Sequence, residues 1–177
     1  MGGTELGEIP VELTTHETFV HPNFDAGTLS NDIGLVELPE DAPLGDNVRP
    51  IAFARDPFET YEGQNAIASG YGYTDNGGPV SPNLNFIDVN IISNQECTAS
   101  FGTFITPSSI CIVGIESPSQ GMCNGDIGGP LVIGSGDDMT LIGVSSFVSS
   151  TGCSSDYPSS FVRTSHFVSW INEITGL

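Results

Sequence analysis

Lysine is absent from this chain of 177 residues, and arginine occurs only at positions 49, 55 and 163, against 22 aspartates and glutamates. A formal net charge of −19 repels phosphate backbones and anionic headgroups, and no basic stripe offsets it. Nucleic acid is therefore excluded as a partner. Long apolar runs are missing as well: none approaches the roughly 18–20 residues that a membrane-spanning helix requires, so no membrane partner is expected. The chain has no fixed-period repeat, no low-complexity tail and no Asn-x-Ser/Thr sequon. The excess of acid reads as a solvated surface. A sharper reading is adaptation to a protease-rich fluid, since three arginines offer little to a trypsin-like peptidase.

Four cysteines stand at 97, 111, 123 and 153, with no CxxC pair and no histidines close by. That spacing does not suit a metal centre, and neither metal nor cofactor is expected. Two disulfides in a secreted protein fit the even count better. The amino-terminal MGGTELGEIPVEL has neither a basic n-region nor an apolar h-region, so the secretory signal implied by the cysteines is not visible in it.

Gly (22) and Pro (12) punctuate the whole length, as expected of many short strands joined by turns. Alternation marks Ile9, Val11 and Leu13, then Phe19 ahead of a turn at HPNFD, then Ile33, Leu35 and Leu38. After a turn-rich acidic stretch at 53–64, strands are expected from NAIASGYGYT and over 84–92, 110–113, 130–134, 140–148 and 160–164. Only the C-terminus reads as helix: Phe167, Ile171 and Ile174 share a face, Trp170 stands beside them, and Ser165 is the expected cap. The pattern is all-β, an antiparallel barrel or sandwich closed by one helix.

The most informative stretch is Cys123-Asn124-Gly125-Asp126-Ile127-Gly128-Gly129-Pro130-Leu131-Val132. It resembles the nucleophile loop of trypsin-like and chymotrypsin-like serine proteases, in which a serine stands between the aspartate and the glycine pair. Asn31-Asp32-Ile33 with Leu35 is similar to the segment carrying the family's buried triad acid. Gly70-Tyr71-Gly72 resembles the Gly-Trp-Gly that opens the second barrel, Ser146-Phe147-Val148 the Ser-Trp-Gly strand along the substrate, and Phe161-Val162-Arg163 the last strand. The resemblance runs from about residue 4 to 175.

It implies a double antiparallel β-barrel with its first barrel incomplete. Residues 1–64 would be the remnant of that barrel plus the linker, and residues 65–177 the second barrel with the C-terminal helix. It also implies the pairs Cys97–Cys111 and Cys123–Cys153, with the first closing a loop worth about 3 kcal/mol in the chain-entropy model. An unclosed first barrel predicts marginal stability and self-association through open strand edges.

The family's chemistry needs a serine made nucleophilic by a histidine that an aspartate orients, and backbone amides that hold the oxyanion. By resemblance, Asp32 is the remnant triad acid. Gly125, Asp126 and Ile127 form the oxyanion-hole remnant, with the amides of Gly125 and Ile127 as donors. Asp126 also matches the acid that pairs with a new amino terminus in activated relatives; without such a partner it is expected to be exposed or protonated.

Ile127 occupies the nucleophile position and has no heteroatom to attack a carbonyl. The family's general base lies in an Ala-Ala-His-Cys segment that these residues do not include. His16 reads as an exposed strand residue, His21 as a surface turn residue and His166 as the start of the helix. Loss of a triad nucleophile costs on the order of a million-fold in turnover.

Gly121, Val148 and Ser159 match the specificity pocket, and Ser146, Phe147 and Val148 the strand that pairs with substrate backbone; the pocket is expected to be shallow, neutral and suited to small apolar side chains. Glu5, Glu8 and Glu12 lie near a calcium loop of some relatives, and Asp137-Asp138 sit in a GSGDDM tip; both read as solvated acids. Three functional readings follow: an inactive homologue of a secreted serine endopeptidase; a binding protein that holds peptides or protease inhibitors in the old cleft; and a shortened product of an active endopeptidase gene.

Overall fold

The structure is a computed structural model describing residues 1–117, 120–150 and 155–177. Its strands are β1 (Thr18–Val20), β2 (Gly34–Val36), β3 (Ala52–Phe53), β4 (Asn65–Gly70), β5 (Asn85–Ile92), β6 (Ser109–Gly114), β7 (Pro130–Ile133), β8 (Thr140–Phe147) and β9 (Ser159–Arg163). Two helices, α1 (Asn94–Phe101) and α2 (Val168–Thr175), complete the regular elements.

The barrel arises from period-two patterning. Ala66 and Ala68 of β4, Val89 and Ile91 of β5, Ile110 and Ile112 of β6, Leu131 of β7, Ile142 of β8 and Phe161 of β9 are nearly or wholly buried in one cluster. The strands follow the order β3-β8-β7-β4-β5-β6-β9, and β9 pairs back onto β8. Strands β4 to β9 therefore close into an antiparallel barrel of six, in which every strand has a neighbour on each side. At Gly143 a Cβ would come within 3.1 Å of the Phe161 side chain, so a small residue is required where two strands crowd the core. Strand β3 lies outside the closure and runs parallel to β8.

Residues 1–60 do something different. β1 and β2 form a separate two-stranded sheet in which Val20 and Val36 are 66% and 63% exposed. The alternation at Ile9, Val11 and Leu13 does not become a strand: alternation sets which way side chains face, but a ladder also needs a partner strand.

Helix α1 is a correction to the expectation of a single C-terminal helix. It starts with a capping box, the Ser93 hydroxyl accepting from the Glu96 amide while the Glu96 carboxylate accepts from Ser93, an arrangement worth about 0.5–2 kcal/mol. Cys97 of α1 is joined to Cys111 of β6 by a disulfide with Cα atoms 6.2 Å apart, and both are fully buried. Cys123 is disulfide-bonded too; its expected partner, Cys153, lies outside the described residues.

At the other end, Ser165 does not cap α2. A 3-10 turn over Thr164–Phe167 leads into the helix, and the Ser165 hydroxyl is buried without a hydrogen-bond partner among the described residues. Phe167 and Ile171 pack against Ile33 and Val162, with Phe53 and Trp170 alongside. This packing holds the segment that carries Asp32 against the second barrel.

Candidate functional site

The end of the connection between β6 and β7, Cys123 to Gly129, is built from two consecutive tight turns. The Asp126 amide donates to the Cys123 carbonyl at 3.0 Å, and the Gly129 amide to the Asp126 carbonyl at 2.8 Å. Such turns need positive φ, supplied by Gly125 at +94° and Gly128 at +88°. The loop is stitched to β8 by Gly128 N–H to the Ser145 carbonyl and Ser145 N–H to the Gly129 carbonyl, both 2.8 Å. Among the described residues neither the Gly125 nor the Ile127 amide donates to a backbone carbonyl. Ile127 sits at the apex, half exposed.

Asp126 turns inward and finds partners, which corrects the expectation of an exposed side chain. It is half-buried. Its carboxylate accepts the Gly72 amide at 2.7 Å and the Cys123 amide at 3.0 Å. Each carboxylate oxygen is thus engaged by one backbone donor. Glycine at 70 and 72 is what admits it, since a Cβ at either would collide with the carboxylate.

A cavity of about 420 Å3 opens beside it, walled by Gly70, Gly72 and Thr74, by Phe86, and by Gly121 and Met122 among others. Of the three residues matched to the specificity pocket, Gly121 lines this cavity, whereas Val148 and Ser159 do not. The paired glycines at 70 and 72 were the readable signal for it.

Across from the loop, the Ser146 hydroxyl donates to Oδ2 of Asp32 at 2.6 Å, a short charge-assisted bond that fixes the carboxylate. Asp32 is presented by a tight turn in which Asn31 has φ +56° and the Ile33 amide donates to the Asn31 carbonyl. The other carboxylate oxygen of Asp32 has no partner among the described residues.

No histidine supplies one. His21, expected as a surface turn residue, does open a turn, its carbonyl accepting the Phe24 amide at 3.0 Å, but it is half-buried. Its Nδ1 accepts the Asn23 amide at 3.2 Å, and its ring lies edge-on to Phe167 and Trp170 at 5.2 and 5.0 Å. His16 is exposed but lies outside any strand. His166, also exposed, packs on Phe167.

The residues matched to the specificity pocket do meet. The Ser159 hydroxyl accepts the Met122 amide at 3.0 Å, and a Cβ on Gly121 would come within 2.7 Å of that hydroxyl. Val148 leans onto the barrel core and so narrows the space beneath it. Phe147 is held edge-on by Phe101 at 5.1 Å and faces Phe104 at 6.1 Å, an aromatic group that strand patterning did not disclose because its partners come from α1 and the turn after it.

Comparison with known proteins places this geometry among relatives. The sequence pattern of the Trypsin family matches residues 6–171. The chain is 35% identical over 158 residues to Serine protease 1 of Drosophila melanogaster, covering 89% of this chain and 57% of that protein. It is 32% identical over 168 residues to Brachyurin of Leptuca pugilator, covering 94% of this chain and 70% of that one. A solved structure of HL collagenase superimposes with a TM-score of 0.88 at 30% identity, over 100% of this chain and 75% of that chain. The chain thus spans a little over half the length of Serine protease 1.

Proposed function

Since this chain belongs to the trypsin family, we propose that it is a secreted member with no peptidase activity of its own. The observation that carries this reading is Ile127: a half-exposed hydrocarbon side chain stands where the resemblance calls for the nucleophilic oxygen, in a loop whose turns and strand contacts are otherwise in place. Hydrolysis through an acyl-enzyme needs an atom there that attacks a carbonyl and later leaves. Isoleucine has none, whatever polypeptide precedes Met1.

Two measurements test it. The purified chain is expected neither to turn over chromogenic peptides nor to be labelled by a fluorophosphonate; covalent labelling that maps to the 123–129 loop overturns the proposal. Ile127→Ser in these 177 residues is expected to stay inactive, since a restored hydroxyl still has no histidine to take its proton.

The second reading, a relic cleft that holds peptides or inhibitors, rests on the end of β8 at Ser146 and Phe147, past its last pairing with β7 at Val144, along which an extended chain can pair. With Val148 packed against the barrel core, binding is expected to be no tighter than roughly 10–100 μM for peptides with small apolar side chains, about −7 to −5.5 kcal/mol. Calorimetric titration at moderate ionic strength decides it; a salt-resistant preference for lysine or arginine side chains rules out a neutral pocket built on Gly121 and Ser159.

A further inference from the structure

The three arginines gain a second meaning once they are located. We infer that this chain is built to coexist with an endopeptidase that cleaves after lysine and arginine, each of its arginines being placed where that partner cannot cut. An ordinary chain of this length carries roughly 20 basic residues; this one has three. Acidity for solubility accounts for a low basic count, but not for where the remaining arginines stand.

Arg49 is the most accessible. It precedes Pro50, whose ring crowds the leaving side of the scissile bond and removes the amide N–H that a cleft engages. Its guanidinium is occupied by Asp137 at 3.0 Å and Asp46 at 3.8 Å.

Arg55 is followed by Asp56 and Pro57, placing an acid and then a proline just past the bond. The Asp56 carboxylate folds back onto the Phe58 amide at 2.9 Å, fixing a turn where a peptidase needs extended chain. The Arg55 guanidinium lies over the Phe53 ring at 4.5 Å and donates to Asn172 at 3.3 Å.

Arg163 is 7% exposed in β9, between β6 and β8. Its guanidinium donates to the carbonyls of Glu59, Thr60 and Ser109. Burial pushes its pKa down, countered by Tyr61 and Glu59. Reaching it requires the barrel to open, so cleavage there tracks global unfolding.

The protection is specific to one class of cut. Exposed loops carry Phe58 at 89% and Leu44 at 66% exposure, which are open to peptidases of other preference. Folded protein is therefore incubated with trypsin, with a chymotrypsin-type enzyme and with a glutamate-specific endopeptidase at equal activity. Two variants accompany it: Leu44→Arg, which puts a basic residue on an exposed loop ahead of Gly45, and Pro50→Ala, which unblocks Arg49.

The parent is expected to remain intact with trypsin while the other two enzymes nick it. Both variants are expected to lose intact chain to trypsin at least about tenfold faster than the parent, cut after residue 44 or 49. Trypsin cleavage of the folded parent at Arg55 overturns the inference. So does equal resistance to all three enzymes, which makes compactness the cause, and so does survival of both variants.

Discussion

Ile110 and Leu131 in the six-stranded barrel are fully buried, whereas Val20 and Val36 of the β1–β2 sheet stand 66% and 63% exposed. The barrel closes on itself, each strand with a neighbour on both sides; the small sheet pairs only within itself. The candidate site straddles this difference. The loop carrying Asp126 and Ile127 belongs to the closed half, while Asp32 belongs to the sparsely packed half. It is kept in place by Ser146 and by the contact of Ile33 with the C-terminal helix. Half of the site thus inherits the rigidity of a barrel, and the other half depends on a few contacts reaching across.

The comparison breaks most visibly under equal truncations in the two halves. Phe161→Ala removes a ring at the barrel centre, 1% exposed, and is expected to cost about 3–5 kcal/mol. Val36→Ala is expected to change stability by no more than about 0.5 kcal/mol, as exposed substitutions do. Urea midpoints measure both; similar losses for the two variants mean that the amino-terminal sheet is packed as tightly as the barrel.

A finer cut is Ser146→Ala, which deletes the hydrogen bond to Asp32 without touching the core. Bonds to charged groups contribute about 1.5–3 kcal/mol. The loss is expected to appear locally, as faster amide exchange over residues 18–36 with β4 to β9 unchanged. A uniform acceleration across both halves means instead that the site does not divide along this line.

The same division decides what the sequence disclosed. Strands β4 and β5 are legible because burial alternates along them, whereas β6 and β9, buried almost throughout, are legible as short apolar runs bounded by turn residues. Residues 9–13 alternate equally well and form no strand, because their pattern lacks a partner. Helix α1 escaped the periodicity argument: it buries only Cys97, and eight residues with one apolar anchor give no stripe. Its local signature, Ser93 followed three residues later by Glu96, was nonetheless there to read.

The inward turn of Asp126 was not legible at all. Its donors are backbone amides, one of them at Gly72, 54 residues away, and backbone atoms leave no trace in residue type except the glycines that make room. Ile127 was fully legible, since a missing heteroatom is a property of composition rather than of packing.

The smallest expected effect concerns another bridge between the halves. Arg49 of the amino-terminal region reaches Asp137, in the turn between β7 and β8, at 3.0 Å. On paper this ion pair, like the Ser146 bond, ties the two regions together. Its side chains, however, are 59% and 93% exposed, so water competes for both charges and salt screens what remains. Ordering a long arginine side chain also costs rotamer freedom that the weak attraction scarcely offsets. Arg49→Gln is therefore expected to leave the urea midpoint unchanged within error and to leave amide exchange over residues 18–36 as it was. The contrast with Ser146→Ala is the informative quantity: both variants remove one contact between the regions, but only one removes a short, half-buried bond to a carboxylate. If Arg49→Gln instead loosens residues 18–36 as much as Ser146→Ala does, and does so equally at high salt, the halves are held by the periphery of their contact rather than by the bond at the site.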